Sequence, residues 1–398
     1  MTIPDLTVDL LRPAVTALLG RPVTVRPGWQ VRPLAHTLRN PVTAGLYQAN
    51  GRAITGDPGE EREWTVVLKV LRFPSDAPAW LRADQPDQWN YWQRELLAYR
   101  TGLPASLAAD LAAPRYLGAH QPDERTMWLW IEHVTGTPAT AWPPERYLTA
   151  ARHLALAQGL YLTGRPLPCD PWLAHDWLAA WTPSLPPKAL AILDDSRAWA
   201  HPLIRDVLPP QVGEATRRLA GDRDRLLTAV ARLPVTVCHH DYWPPNLLSR
   251  TDPDGRERTV ALDWSWIGLD PAGLDPANLV LDATASGYLP ADRLAELDHD
   301  VLDAYLDGLT ETGWKDPSAP VRAGHDVTAA LRFGLDAPDL LTLARNQDRH
   351  ATLEERHGRP VAEIIASRAA VVRHALRLAD RAASRLGTRR RTRAGLWP

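Results

Sequence analysis

The first third of the chain alternates short apolar runs with turns that contain Pro and Gly, which is typical of β-strands. An amphipathic segment at 4–20 precedes them and predicts a helix. Residues 63–73, EWTVVLKVLRF, form a near-continuous apolar run and predict a strand. Residues 87–103 carry apolar side chains at helical spacing and predict a second helix. The other predicted strands cover 22–27, 29–36, 42–53, 113–120 and 126–134.

From residue 144 onward the pattern changes to helical periodicity, interrupted by one pair of strand patterns. Residues 145–162 predict a long helix, and helical patterns continue towards the C-terminus. The stretch at 135–144 is rich in Pro and Thr and predicts a hinge. Strands first and helices later predict an α+β fold with two lobes, residues 1–134 and residues 135–398.

Composition narrows the class of protein. The 398 residues are 45% apolar and carry a formal net charge of −2, so we expect a large core and no binding to nucleic acid or membrane that depends mainly on charge. No apolar run approaches the length of a membrane span. Cys169 and Cys238 form neither a disulfide framework nor a CxxC motif. Asp5 and Asp9 stand where a secretory leader would be basic, so we expect a cytoplasmic protein.

Lysine is scarce in this chain, because arginine replaces it almost everywhere. Only Lys69, Lys188 and Lys315 are present. Lys69 lies in the middle of the apolar run at 63–73, and a buried ammonium needs an anionic partner. Glu95, on the apolar side of the following helix, offers one. The alternative is a lysine on an edge strand whose ammonium reaches solvent.

The most informative stretch is VTVCHHDYWPPNLLSR at 235–250, followed by TVALDWSW at 259–266. Asp241 and Asn246 follow an apolar run, and Asp263 ends a second strand pattern. The sequence DPDG at 252–255 predicts a hairpin turn between the strand patterns. Two carboxylates and an amide suit phosphoryl transfer, because one carboxylate can accept a hydroxyl proton while the others hold a divalent metal.

The pattern H-x-D-x-x-x-x-N followed by D resembles the catalytic and metal-binding loops of the protein-kinase-like superfamily. GLDPAGLDPANLV at 268–280 is similar to the G-D-P-x-x-D-L segment of the aminoglycoside phosphotransferase and choline kinase branch. Protein kinases carry a basic residue two positions after the catalytic Asp, where this chain has Trp243. The resemblance covers roughly 29–280. It implies a small-molecule acceptor with a hydroxyl or amine group rather than a protein acceptor.

The resemblance implies a protein-kinase-like architecture and specific residue roles. A small β-rich N-terminal lobe with one key helix would bind the nucleotide, ATP or GTP. A larger, mostly helical C-terminal lobe would carry a catalytic β-hairpin. Asp241 would orient the acceptor hydroxyl and accept its proton, while Asn246 and Asp263 would hold Mg²⁺. Lys69, paired with Glu95, would bind the phosphates.

Further residues would support this chemistry. His239 and Asp275 would brace the catalytic loop without touching the substrate. The backbone near Glu132, His133 and Val134 would contact the adenine. The implied activity is Mg-dependent transfer of the γ-phosphoryl group of a nucleoside triphosphate to a small-molecule hydroxyl.

Several of these residues also have an ordinary structural interpretation. Asp241, Asn246 and Asp263 are residue types that commonly occupy turns or cap strand ends. Asp270 is either at the rim of the site or a cap, and we expect His240 to face solvent.

Two further segments leave alternatives open. Residues 34–47 contain no G-x-G-x-x-G motif, so backbone amides near 39–44 are the expected phosphate contacts. Trp172, Trp177 and Trp181 form either an aromatic wall for a sugar-like or cationic acceptor, or ordinary helix packing, which we favour. The Arg-rich segment at 385–398 is expected to be a solvated tail.

Two other functions are compatible with the same residues. One is a pseudokinase that binds a nucleotide or ligand without turnover. The other is a metallohydrolase in which His239 and His240 bind a transition metal. The acceptor stays open among aminoglycosides, amino alcohols, sugars and amino acids.

Overall fold

The computed structural model describes residues 5–34, 40–56, 59–78, 81–107, 110–182 and 184–387. Antiparallel sheet dominates the first third and helices dominate the rest, which confirms the predicted α+β fold class. The chain divides into two compact units. Unit 1 comprises Met1–Gly136, Cys169–Ala174 and Leu248–Ile267; unit 2 comprises Thr137–Pro168, His175–Leu247 and Gly268–Pro398. Residues 135–136, 169–174 and 248–267 thus also belong to unit 1, and the functional division at residue 134 stays a prediction.

The strands are concentrated in the first third of the chain. In chain order they are β1 Val23–Val25, β2 Gln30–Pro33, β3 Thr43–Thr55, β4 Glu60–Arg72, β5 Leu111–Ala112, β6 Tyr116–Asp123, β7 Thr126–Glu132, β8 Thr137–Pro138, β9 Ala174–His175, β10 Val235–Cys238, β11 Leu247–Thr251, β12 Glu257–Ala261 and β13 Gly268–Pro271.

The helices are mostly in the second half. They are α1 Val8–Leu19, α2 Arg94–Thr101, α3 Pro144–Leu162, α4 Trp177–Trp181, α5 Pro187–Leu190, α6 Ser196–Trp199, α7 Gln211–Val230, α8 Leu274–Ser286, α9 Leu294–Glu311, α10 Ala319–Phe333, α11 Ala337–Arg345, α12 His350–His357 and α13 Val361–Arg385. Short 3-10 turns occur at Pro104–Ser106, Ala139–Ala141, Ala191–Asp194, Pro244–Asn246, Ala291–Arg293 and Gln347–Arg349. Within the described ranges, no helix combines the length and the apolar character that crossing a membrane requires.

The main sheet of unit 1 has the strand order β1–β3–β4–β7–β6, with β2 also paired to β3. All of these pairs are antiparallel. Leu46 of β3 and Leu129 of β7 lie opposite Lys69 in the two registers. Strand β4 is therefore an inner strand that is hydrogen-bonded on both sides.

Helix α1 covers part of this sheet. Its buried residues Leu11 and Val15 belong to one apolar cluster with Trp64 and Leu68 of β4 and Trp130 of β7. The segment was predicted as an amphipathic helix because its apolar residues recur at helical spacing, and removal of that stripe from water stabilises the helix on the sheet.

The helix predicted at 87–103 is shorter in the structure, where α2 begins at Arg94. The side chain of Arg94 explains the difference. Its guanidinium donates hydrogen bonds to the carbonyl oxygens of Gln88 and Trp89 at 2.6 and 2.7 Å. A continuous helix would direct these carbonyls to amides four residues later, so residues 87–93 form turns instead.

The predicted DPDG hairpin is confirmed, because β11 and β12 are neighbours in one sheet. The turn is closed by hydrogen bonds from the amide of Asp252 to the carbonyl of Arg256 and from the amide of Gly255 to the carbonyl of Asp252. Gly255 has φ +81°, a conformation that glycine adopts without strain.

Unit 2 contains packed helices and the short strands β10 and β13, which lie side by side in a three-stranded sheet. Helix α3 packs on α9, α10 packs on α13, and α8 contacts α9, α10 and α13. Strands β10 and β13 pair antiparallel, with Val235 opposite Pro271 and Cys238 opposite Gly268.

A buried network of charged and polar side chains joins α9, α10 and α13. Asp298 of α9 lies 2.9 Å from Nε2 of His325 and 2.8 Å from Nε2 of His374. Asp326, next to His325 on α10, pairs with two arginines of α13, Arg381 and Arg385. Burial by itself lowers the pKa of His325, but the Asp298 and Asp326 carboxylates outweigh it and raise that pKa to about 9.

The charge on His325 makes stability depend on pH in a defined window. Because the folded-state pKa of about 9 lies above the ordinary 6.5, the stabilisation is complete below pH 6.5 and is lost as the pH rises through 9. That shift corresponds to about 3 kcal/mol. In urea unfolding experiments, we expect the free energy of unfolding of the parent to fall by about 3 kcal/mol between pH 6 and 9.5. The free energy of unfolding of His325→Gln should fall far less over the same range. His299→Gln, at an exposed histidine of α9, is the control. Parallel pH curves for the parent and His325→Gln would refute this account.

Candidate active site

Lys69 lies on the inner strand β4 of unit 1 and is only 6% exposed. Its Nζ is 2.7 Å from Oε2 of Glu95 and 2.9 Å from Oδ1 of Asp263. The alternative of an edge-strand lysine that reaches solvent is therefore wrong. The ammonium is buried with two carboxylates around it.

The two carboxylates come from distant parts of the sequence. Glu95 is in the first turn of α2, and Asp263 follows β12, 194 positions after Lys69. Asp263 adopts φ +56°, a left-handed conformation that is uncommon outside glycine. Its side chain is 24% exposed, compared with 2% for Glu95. Asp263 is thus the carboxylate of this triad that reaches solvent.

The three charges of this triad do not balance. Burial alone lowers the pKa of Lys69, but Asp263 and Glu95 outweigh it and raise that pKa above its ordinary value. Burial, together with the charge of Asp263, raises the pKa of Glu95 to about 7, although Lys69 and the Trp264 amide oppose this rise. When Glu95 is ionised, two carboxylates face one ammonium, which leaves an excess negative charge in a poorly solvated place. A bound cation would relieve it.

Arg94, next to Glu95, is a further buried charge that the sequence did not predict. Besides Gln88 and Trp89, its guanidinium donates to the carbonyl of Trp172 at 2.6 Å. Burial lowers the pKa of Arg94 to about 10. These bonds fix the turns before α2, and Trp89 also stacks on Trp266, with ring centroids 5.0 Å apart. The segment after Asp263 is therefore packed on the segment before Glu95.

In unit 2, Asp241 and Asn246 face each other across a tight loop. Nδ2 of Asn246 donates to the carbonyl oxygen of Asp241 at 3.1 Å and to its Oδ2 at 2.7 Å. The amide of Asp241 donates to Nδ1 of His239 at 3.2 Å. A 3-10 turn at Pro244–Asn246 brings the chain back, because consecutive prolines favour its compact start.

Asp275, in the first turn of α8, holds the start of this loop. Its carboxylate accepts hydrogen bonds from the amides of His239 and His240 at 2.9 and 2.8 Å. It also accepts one from Nε2 of Gln158 in α3 at 2.8 Å. Sequence reasoning missed Gln158, and only its place in an otherwise apolar helix face could have signalled it.

His240 does not face solvent, which corrects the expectation for this residue. Its side chain is 0% exposed, and Nε2 lies 2.8 Å from Oδ2 of Asp270. The imidazole stacks parallel to the ring of Trp177. Asp270 is buried as well and also accepts the Trp177 amide at 3.1 Å, so it is not a rim residue. The sequence could not show this, because the covering residues come from β13 and α4.

The tryptophans of 168–181 divide into two groups. Trp172 and Trp177 are buried, in agreement with packing, whereas Trp181 is 41% exposed. Trp181 stacks on Trp177 with ring centroids 5.4 Å apart.

The residues expected near adenine lie at the end of β7 and just after it. The amide of Glu132 donates to the carbonyl of Arg115, and its carboxylate accepts from the Arg115 amide and lies 3.5 Å from Arg250. His133 and Val134 follow the strand and are half-buried. Burial, with a smaller effect of Arg32, lowers the pKa of His133.

The expected phosphate contacts at 39–44 are only partly within the described residues, because 35–39 lie outside them. Asn40 begins a local turn, in which its Oδ1 accepts the amide of Val42 at 3.0 Å. The chain then enters β3 at Thr43.

No protein-family model and no curated protein matches the chain. The amicoumacin kinase hAmiN, in complex with AMP-PNP, Ca²⁺ and Ami, is 14% identical, with 86% of this chain and 89% of that chain covered and a TM-score of 0.46. The spectinomycin phosphotransferase APH(9)-Ia, in complex with ADP and spectinomycin, is 12% identical, with 91% and 98% covered and a TM-score of 0.44. Choline kinase from Cryptosporidium parvum is 10% identical, with 94% and 96% covered and a TM-score of 0.43.

The side-chain oxygens of Asn246 and Asp263 are of the type that binds magnesium. Nδ2 of Asn246 is committed to Asp241, which leaves Oδ1 as the amide atom for a metal. Hard oxygen donors suit Mg²⁺, whereas transition metals favour imidazole or thiolate. Among the residues that the structure describes, no three or more His, Cys, Asp or Glu side chains are grouped to hold a metal ion. The metallohydrolase alternative has no support there, since His239 and His240 contact protein groups.

Proposed function

We propose that this protein transfers the γ-phosphoryl group of ATP or GTP to a hydroxyl group of a small molecule, as a magnesium-dependent phosphotransferase with a protein-kinase-like fold. The observation that carries the proposal is the buried ammonium of Lys69 between Glu95 and Asp263. A structural ion pair needs one carboxylate. The second carboxylate, on the more exposed side, adds a negative charge that suits a metal-bound nucleotide.

Residues of unit 1 would bind the nucleotide. Lys69 would contact phosphate oxygens, and Glu95 would hold the ammonium in place. The backbone at 132–134 would contact the base. Magnesium, held by Asp263 and Asn246, would neutralise charge on the β- and γ-phosphates.

Residues of unit 2 would bind and orient the acceptor. Asp241 would accept a hydrogen bond from the acceptor hydroxyl and orient its oxygen towards the γ-phosphorus. A new oxygen–phosphorus bond forms while the bond to the β,γ-bridging oxygen breaks. The hydroxyl proton passes to the Asp241 carboxylate, and the nucleoside diphosphate leaves. Positioning and charge neutralisation supply most of the rate enhancement in such a reaction.

His239 and Asp275 would hold the loop that carries Asp241. His239 and Asp275 would keep Asp241 in place through the bonds to its amide and to the preceding amides. The acceptor would be a hydroxyl-bearing small molecule, and neither nucleic acid nor a membrane is a proposed partner. Because Cys169 and Cys238 are both free thiols, we propose a reducing, cytoplasmic setting.

Two measurements on the purified protein test this function. Thermal unfolding is followed with MgATP, MgGTP, and ATP plus EDTA, and we expect a magnesium-dependent rise in Tm with at least one nucleotide. ADP or GDP release is then measured with aminoglycosides, amino alcohols, sugars and hydroxy amino acids. Turnover with one of them supports phosphotransfer. Stabilisation by nucleotide without turnover would support the pseudokinase alternative, and no response to either nucleotide would contradict both.

A further inference from the structure

We propose that His240 is a positioning residue for Asp241, and that it acts through Asp270 and Trp177. This inference rests on the proposed function, in which Asp241 orients the acceptor. His240 would not touch the substrate. Its ring would fix the backbone from which the Asp241 side chain projects.

The backbone conformation at His240 is unusual for a residue with a Cβ. Among the described non-glycine residues, Asp176, His240 and Asp263 are the ones with positive φ, at +52°, +66° and +56°. A left-handed conformation is unfavourable for a non-glycine residue unless its surroundings stabilise it. Asp176 directly precedes Trp177, on which His240 stacks. Two of the three uncommon conformations thus lie within unit 2 next to one stacked pair of rings.

Four contacts restrain the backbone and the ring of His240. Its amide donates to Asp275, and its carbonyl accepts from Nδ2 of Asn278 at 3.1 Å. Its Nε2 lies 2.8 Å from Oδ2 of Asp270. Its ring lies 5.0 Å from that of Trp177, with an interplanar angle of 1°.

Asp270 contacts both His240 and the start of the helix that carries Trp177. Its Oδ2 faces His240 and also accepts the Trp177 amide at 3.1 Å. Asp270 therefore fixes both the ring of His240 and the helix start that supplies the stacking partner. If His240 served only to form a turn, its side chain would not need contacts with a buried carboxylate and a parallel indole ring. We infer that the ring holds the left-handed turn, and so the direction in which Asp241 points.

Two variants separate the effect of losing the His240 ring from the effect of strain in its backbone. His240→Gly accepts the left-handed φ without strain but removes the ring, whereas His240→Ala removes the ring and keeps the strain. The probe is hydrolysis of MgATP, in which water takes the acceptor's place. We expect both variants to lower kcat by roughly 10-fold to 100-fold, the scale of a small misplacement in a reacting group. The KM for MgATP should not change.

A coupled variant and a control sharpen this test. Asp270→Asn should lower kcat in the same direction, and the double variant with His240→Gly should lose little more than either single variant, because the two residues act as a unit. The control is His299→Ala, since His299 is an exposed histidine that pairs with Asp303 on α9. It should keep the parent's kcat. Parental kcat in His240→Gly would overturn the proposal.

A second measurement does not depend on turnover. Hydrogen exchange of the amides at 239–246 is compared between the parent and Asp270→Asn, which leaves residue 240 intact. We expect faster exchange in that segment of the variant, and unchanged exchange would also overturn the positioning role. If the parent hydrolyses no MgATP and phosphorylates no acceptor, phosphotransfer itself fails, and the exchange result alone decides the role of His240.

Discussion

Replacement of Asp241 by Asn is expected to lower kcat for phosphoryl transfer by a factor on the order of 10³, because a general base contributes about 10²–10⁴ to such a step. Asn has nearly the same shape, and its Oδ1 can still accept the bond from Asn246 Nδ2. It cannot accept the acceptor's proton. The loop should therefore persist while the chemistry is lost.

The measurement that supports this interpretation is nucleotide binding in the same variant. The rise in Tm with MgATP should match that of the parent, because the residues of unit 1 that we propose to bind the phosphates are unchanged. Asp254→Asn is a matched control. Asp254 is exposed in the β11–β12 turn and accepts the Arg256 amide, as Asn would. If Asp241→Asn turns over as fast as the parent, Asp241 does not have the proposed role.

Replacement of Lys69 by Met is expected to cost both stability and nucleotide binding. The variant leaves Glu95 and Asp263 close together without their cation, and breaking a buried ion pair in this way costs about 3–5 kcal/mol. Glu95 can reduce the cost by taking up a proton. Burial and the remaining carboxylate would then raise its pKa above the parent's value of about 7, so the stability deficit relative to the parent should grow as the pH rises above about 7.

Urea unfolding at several pH values and MgATP titration check this prediction. Lys188→Met and Lys315→Met are matched controls, since both of these lysines are exposed. A second substitution, Glu95→Gln in the Lys69→Met background, should recover part of the stability and flatten its pH dependence, but should not restore nucleotide binding. A Lys69→Met protein with parental stability at pH 8 would show that the triad is not energetically coupled.

Local sequence determined the elements that carry the candidate site residues. The apolar run around Lys69 required a buried strand, and helical spacing placed Glu95 on the inner side of the next helix. The DPDG turn required a hairpin before Asp263. These features depend on residues within a few positions of one another, so periodicity and turn chemistry are sufficient to predict them.

Local sequence was not sufficient where the surroundings come from elsewhere in the chain. His240 was expected in solvent, but β13 and α4 bring Asp270 and Trp177 to its ring. The helix of Glu95 was expected to begin earlier, but the Arg94 side chain takes the carbonyls that a longer helix would use. Neither partner can be read from neighbouring residues.

The sequence by itself thus determined which residues bear charge, metal-binding oxygen or a proton acceptor, and on which strand, helix or loop each lies. Only the tertiary structure decided which distant side chains share a partner: that Asp263 joins Glu95 at Lys69, and that Asp270 lies against His240. The reason is physical. A side chain's type and spacing are local, whereas desolvation and ion pairing depend on whatever distant segments pack around it.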